Sequence, residues 1–184
     1  MQPVRREEIL DYVTYGEQRE QIRAAVLKIK APRRIHLGPH MTFLFENRET
    51  VRYQIQEMVR VERLVKETEI QHEIETYNEL LGGPGELGAS LLIEIDDPAQ
   101  RAVKLVAWRD LMDHVYARLE DGSKVMVSYD RRQVGEERLS SVQYVRFATG
   151  GRVPVALGSD HPDYAHEDEL SDEQRRALAE DLGQ

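Results

Sequence analysis

The carboxylates and imidazoles with most to offer chemically lie between positions 40 and 80. On a helical wheel started at Val51, the side chains of Ile55, Met58, Val59 and Val65 gather on one side at about 100° per residue, and Glu62 falls among them. A carboxylate among aliphatic neighbours must be paired, protonated or bound to a cation, because burying it charged and alone is strongly unfavourable. Glu57 sits at the margin of that face. The following segment, EIQHEIETYNELL, puts Glu69 three residues before His72, and sets His72, Glu75 and Glu79 opposite an apolar stripe of Ile70, Ile74, Tyr77 and Leu81. The E-x-x-H spacing serves di-iron carboxylate bundles, but those use two such helices with two further glutamates, and one is present here. Two readings stay open. The stripe is a solvated helix face, and Glu62 pairs with an Arg, a Tyr or a backbone amide; or Glu62, His72, Glu57 and His40 assemble a mononuclear site suited to non-haem iron, manganese or zinc. His40 follows Gly38-Pro39, so a restricted turn delivers it to the start of an aromatic segment, as a ligand or acid-base group or as a half-buried ring bonded to backbone.

Other chemistries are excluded by composition. With no cysteine there are no disulfides, thiolate metal sites or thiol nucleophiles. There is no G-x-S-x-G elbow, no H-E-x-x-H pair and no Walker lysine, and the Gly82-Gly83-Pro84-Gly85 run follows a helix instead of opening one, so it reads as a turn. A formal charge of −9 argues against general polyanion binding. The cations Lys28, Lys30, Arg33 and Arg34 read as a solvated helix end, where they suit the negative pole of the macrodipole. Tyr144, Arg146 and Phe147 in SVQYVRF form an aromatic and basic strand without a matching RNA-binding signature. The opening MQPVRREEILDYV becomes charged at once, and no segment reads as a membrane span, so a cytoplasmic address is expected.

The elements that must position these residues follow from periodicity. Helical spacing runs through 5–15 and 17–29, then 48–66 and 68–81, and the stretch 33–47 alternates as a bent or paired strand broken at Gly38-Pro39, with a buried helix entry from Thr42 as the alternative. Beyond position 85 strands dominate: 89–95, 115–119, 124–129 and 141–148, with Asp121-Gly122 as a hairpin turn. A helix over 98–112 is expected to turn Val103, Val106 and Ala107 inward. The order implies an α+β fold, an N-terminal helical half packed on a C-terminal, mainly antiparallel sheet. Residues 1–157 are expected to form a single α+β domain. Residues 158–184 read as an acidic extension, docked loosely or mobile, with a short helix announced by the Ser171 and Gln174 capping pattern.

Taken together, the strings GPHMTFLFENRETVRYQIQEMVRVERL, IQHEIETYNELL, PGELGASLLIEI and SSVQYVRF resemble the bacterial family catalogued as domain of unknown function 3501. The resemblance spans nearly the whole chain. It carries over no activity and no catalytic residues. It does imply a redox or peroxide-defence setting, beside a rubrerythrin-like protein and an iron–sulfur oxidoreductase subunit. An accessory protein in that setting would need no active site and would present His40, Glu46, Asn47 and Glu86 to a partner.

Overall fold

The computed structural model describes residues 1–135 and 137–183. After a 3-10 turn at Arg6–Glu8, helix α1 spans Tyr12–Lys30 as one element where two were expected. Asp11 makes the start, its carboxylate accepting from the Val13 and Thr14 amides. Strands β1 (Arg34–Leu37) and β2 (Met41–Phe45) form the hairpin anticipated from Gly38-Pro39. Helices α2 (Arg48–Val61) and α3 (Glu67–Asn78) follow, then β3 (Leu87–Ile93), α4 (Pro98–Ala107), β4 (Val115–Arg118), β5 (Lys124–Met126), β6 (Ser128–Tyr129) and β7 (Val142–Phe147). The chain closes with β8 (Ala156–His161), β9 (Tyr164–Glu169) and α5 (Asp172–Asp181). Among the described residues, no helix is long and apolar enough to cross a membrane.

The strands form two antiparallel sheets, in the orders β1-β2-β3-β7-β6 and β5-β4-β8-β9. This is an α+β fold. Inward residues of both sheets share one core, with the rings of Phe43, Phe45 and Phe147 packed at about 6 Å and Leu91, Val115 and Leu157 in the same cluster. The sheets meet at one margin through Val127, whose amide donates to the Val115 carbonyl. At the other margin the Tyr164 hydroxyl donates to the Leu37 carbonyl at 2.6 Å and accepts from the His40 amide at 2.9 Å, tying β9 to the hairpin turn. A second cluster holds α2 and α3 together through Val51, Ile55, Val59, Ile70 and Ile74.

Three expectations are corrected. The first concerns α2, which stops at Val61, short of Lys66. Arg63 adopts φ +51°, its amide donating to Arg60 O and that of Leu64 to Val59 O, a Schellman ending with arginine where glycine is usual. Second, residues 158–183 are no loose extension, because β8 and β9 pair along their whole length and Leu170 and Leu178 enter the main core. Third, α4 turns Leu105 inward and leaves Val103 at 70% and Val106 at 55% exposure.

Candidate functional site

A concavity of about 590 Å³ lies between the last turn of α3 and the outer face of the larger sheet at β6 and β7. Its walls carry Tyr77, Glu79, Tyr129, Asp130, Tyr144 and Arg146. Strand alternation creates this surface: along β7, Gln143, Val145 and Phe147 point into the core, so Val142, Tyr144 and Arg146 must point out. The Arg146 guanidinium donates to the Glu79 carbonyl and so ties strand to helix across the cleft. Tyr144 is held through its backbone. The Gln133 side chain accepts from the Tyr144 amide at 2.7 Å and donates to its carbonyl at 3.2 Å, as a neighbouring strand would. Burial raises the Tyr77 hydroxyl above its ordinary pKa, and burial with the Asp113 carboxylate that accepts its proton at 2.8 Å does the same for Tyr129. Both phenols stay protonated at neutral pH, and the cleft has a volume suited to a ligand. The Ser128 hydroxyl donates to the Arg146 carbonyl. The cleft's walls offer aromatic faces, a guanidinium and carboxylates to a ligand.

The four residues expected at a metal site are dispersed. Glu62 is exposed, because the helix ends before its phase would carry it inward. His72 is exposed on α3. Glu57 faces α1, accepting from Arg19 at 2.8 and 2.9 Å and from the Tyr15 hydroxyl at 2.7 Å. His40 lies beside Trp108 and Tyr164, with Nδ1 on the Glu94 carbonyl at 3.3 Å and Nε2 facing Lys104 Nζ at 3.1 Å, which is the backbone-bonded reading. Among the described residues, no three His, Asp or Glu side chains gather where they could hold a metal ion. The buried acid that the wheel placed at Glu62 exists instead at Glu46, which accepts from the hydroxyls of Ser90 at 2.9 Å and Thr50 at 2.6 Å.

The surface expected to meet a partner is likewise occupied internally. Glu46 is buried, and Asn47 caps α2 through the Thr50 amide while its own amide donates to Asp181. Glu86 accepts from the Gly83 amide at 3.1 Å within its own turn.

A sequence model of the family described as protein of unknown function (DUF3501) matches residues 3–182. The chain belongs to that family. The DUF3501 chain is also similar to a solved structure from Burkholderia pseudomallei, described as a novel protein of unknown function: 30% identity over 98% of this chain and 100% of that one, with a TM-score of 0.90. No curated protein matches it.

Two polar networks of the DUF3501 chain lie outside the cleft. In the first, the Arg19 guanidinium beside Glu57 holds its carboxyl down at about 2, against the opposing effect of burial and with help from Tyr15. A depressed carboxylate stabilises the fold above its unfolded pKa of ~4.3, and that contribution fades as pH falls through the window down to about 2. Glu57→Gln is therefore expected to lower unfolding free energy by ~2 kcal/mol at pH 7, discounted for its residual solvent contact, and by almost nothing near pH 2. Urea titrations of both proteins across that range check this; a gap independent of pH contradicts it. In the second network, His161 accepts the Asp163 amide on Nδ1 at 3.1 Å, so Nε2 carries the proton donated to Asp110 at 3.2 Å, and His114 pairs with Asp160 at 3.0 Å. Those imidazoles hold both aspartates below the usual carboxylate range.

The cleft was missed although SVQYVRF had marked its strand. The available signal was the alternation itself, which places Val142, Tyr144 and Arg146 on one face. What periodicity could not supply is the opposite wall, brought by α3.

Proposed function

We propose that this DUF3501 chain is a cytoplasmic accessory protein in a redox or peroxide-defence setting, and that it works by holding a segment of a partner protein in the tyrosine-lined cleft. The observation that carries this reading is the cleft's composition. Three tyrosines and an arginine stand on two paired strands and a helix end, and these side chains give large contact area at small entropic loss when they bind another protein. Tyr144 keeps 47% of its surface exposed and Val142 41%, with no role in either core. The partners to try first are the rubrerythrin-like protein and the iron–sulfur oxidoreductase subunit that the family resemblance implies.

The test is a pull-down of each candidate partner by the full chain, followed by titration calorimetry with Tyr144→Ala and Arg146→Glu. Wild-type protein is expected to bind in the micromolar range or tighter, and each substitution to weaken binding at least ~10-fold, since aromatic and arginine anchors at interface centres contribute most of the affinity. Absence of any complex at micromolar concentration defeats the accessory reading. A complex indifferent to both substitutions moves the binding surface elsewhere.

A further inference from the structure

The outward face of α4 is apolar and uncovered. Val103 and Val106 are exposed at 70% and 55%, and Ala99 and Ala102 are exposed with them at the i, i+3, i+4, i+7 spacing of a helix stripe. The helix's own cations leave this stripe clear. Arg101 turns back to donate to the Ile95 carbonyl, and Lys104 lies over the Trp108 ring beside His40. The stripe is bracketed by two exposed charges of opposite sign, Asp96 before the helix and Arg109 after it, and neither makes an ion pair or side-chain hydrogen bond among the described residues. An uncovered apolar face rimmed by charged residues is the kind of surface that another protein covers.

From this spacing we infer that α4 pairs antiparallel with α4 of a second copy of the chain about a two-fold axis between Ala102 and Val103. That axis sets Ala99 opposite Val106 of the second copy, Ala102 opposite Val103, and Asp96 opposite Arg109, and each contact occurs twice, as an isologous interface requires. The two charges flank opposite ends of the helix, each beyond its cap, so both ion pairs form in the antiparallel alignment and neither forms if the helices run parallel. The small residues let the helices approach closely, Ala of one copy meeting Val of the other. Specificity for a second copy comes from this self-complementarity. A foreign helix would need the same charges at the same span. The surface is distinct from the cleft, and the inference does not rest on the cleft's role.

One short helix covers less than the ~800 Å² per partner of a standard interface, so a dimer with a dissociation constant in the micromolar range is expected. Sedimentation velocity of the full chain alone, up to about 100 µM, should show a concentration-dependent shift from one chain to two. Val103→Glu, at a site already mostly exposed, should stay folded by circular dichroism and sediment as a monomer throughout. Arg109→Asp should weaken association at least ~10-fold, and the exchange Asp96→Arg with Arg109→Asp should restore it, because the swap preserves every pair. A wild-type monomer over the whole range overturns the inference. So does a dimer that survives Val103→Glu, or a charge exchange that fails to rescue Arg109→Asp.

Discussion

Asp181→Ala is expected to destabilise the protein by about 3–5 kcal/mol, the usual consequence of stranding a buried cation. The Asp181 carboxylate meets Arg33 through two bonds, Nε to Oδ2 at 2.8 Å and Nη2 to Oδ1 at 2.9 Å, and accepts from the Asn47 amide at 3.2 Å. Both side chains of the pair are about 95% buried, at 6% and 5% exposure. The Arg33 guanidinium also serves the Ile29 and Ala177 carbonyls, so it cannot swing out to water without abandoning those. Removing the acid leaves the charge among α1, α2 and α5 with only the largely exposed Glu180 carboxylate, 3.4 Å from Nη2, to balance it. Replacing both partners by apolar residues of similar volume, Arg33→Met with Asp181→Leu, should recover much of the loss. Urea unfolding of the three proteins settles the matter; a loss under ~1 kcal/mol for Asp181→Ala would show that the pair contributes little.

The second large effect is expected at Gly88, where α3 meets the sheet. A Cβ there would stand 2.0 Å from the Leu80 carbonyl oxygen, and one at Gly82 2.3 Å from the Glu86 carbonyl oxygen. Both obstructions are backbone, which cannot rotate away as a flexible side chain would. Gly88→Ala should therefore destabilise by about 3 kcal/mol, the upper end for overpacking, by driving the end of α3 off β3. The same displacement pulls Glu79 from Arg146 and widens the cleft, so partner affinity should fall with stability. Gly16→Ala is the contrast: it lies inside α1 with open space around it, and should stabilise by ~0.5–1 kcal/mol. Thermal unfolding of the two variants checks the pair of signs, and a Gly88→Ala protein as stable as wild type would contradict the close approach.

What the sequence disclosed divides by physical cause. Period-two alternation located β7, whose alternate residues are buried, and period 3.6 located α2 and α3, whose apolar stripes meet in one cluster, while β2 was legible from its aromatic alternation although nearly all of it is buried. The capping pattern at Ser171 and Gln174 located α5. Strands β8 and β9 were hidden because their residues, Gly158, Ser159, Asp160, His161 and then His166 to Glu169, have poor strand propensity. Gly158 is there for space: a Cβ would lie 2.3 Å from the Tyr116 ring. The inward position assigned to Glu62 failed for a one-residue reason. The wheel assumed an unbroken helix, and the left-handed turn at Arg63 ends it, so Glu62 is a C-cap in water. Arg33 misled in the opposite sense, since four cations beside a helix end look solvated, and the acid that draws one of them inside lies 148 residues away. For α4, periodicity found an apolar stripe but could not say which of two apolar faces the sheet would take.

The central claim, that the protein acts by binding through its tyrosine-lined cleft, is tested most directly by a hydrogen-exchange footprint of the full chain with and without a captured partner. Slower exchange is expected in 76–80 and 142–146, on the two walls of the cleft, with the α4 segment 98–107 unchanged. Protection confined to any other surface, with both walls exchanging as in the free chain, would contradict the account.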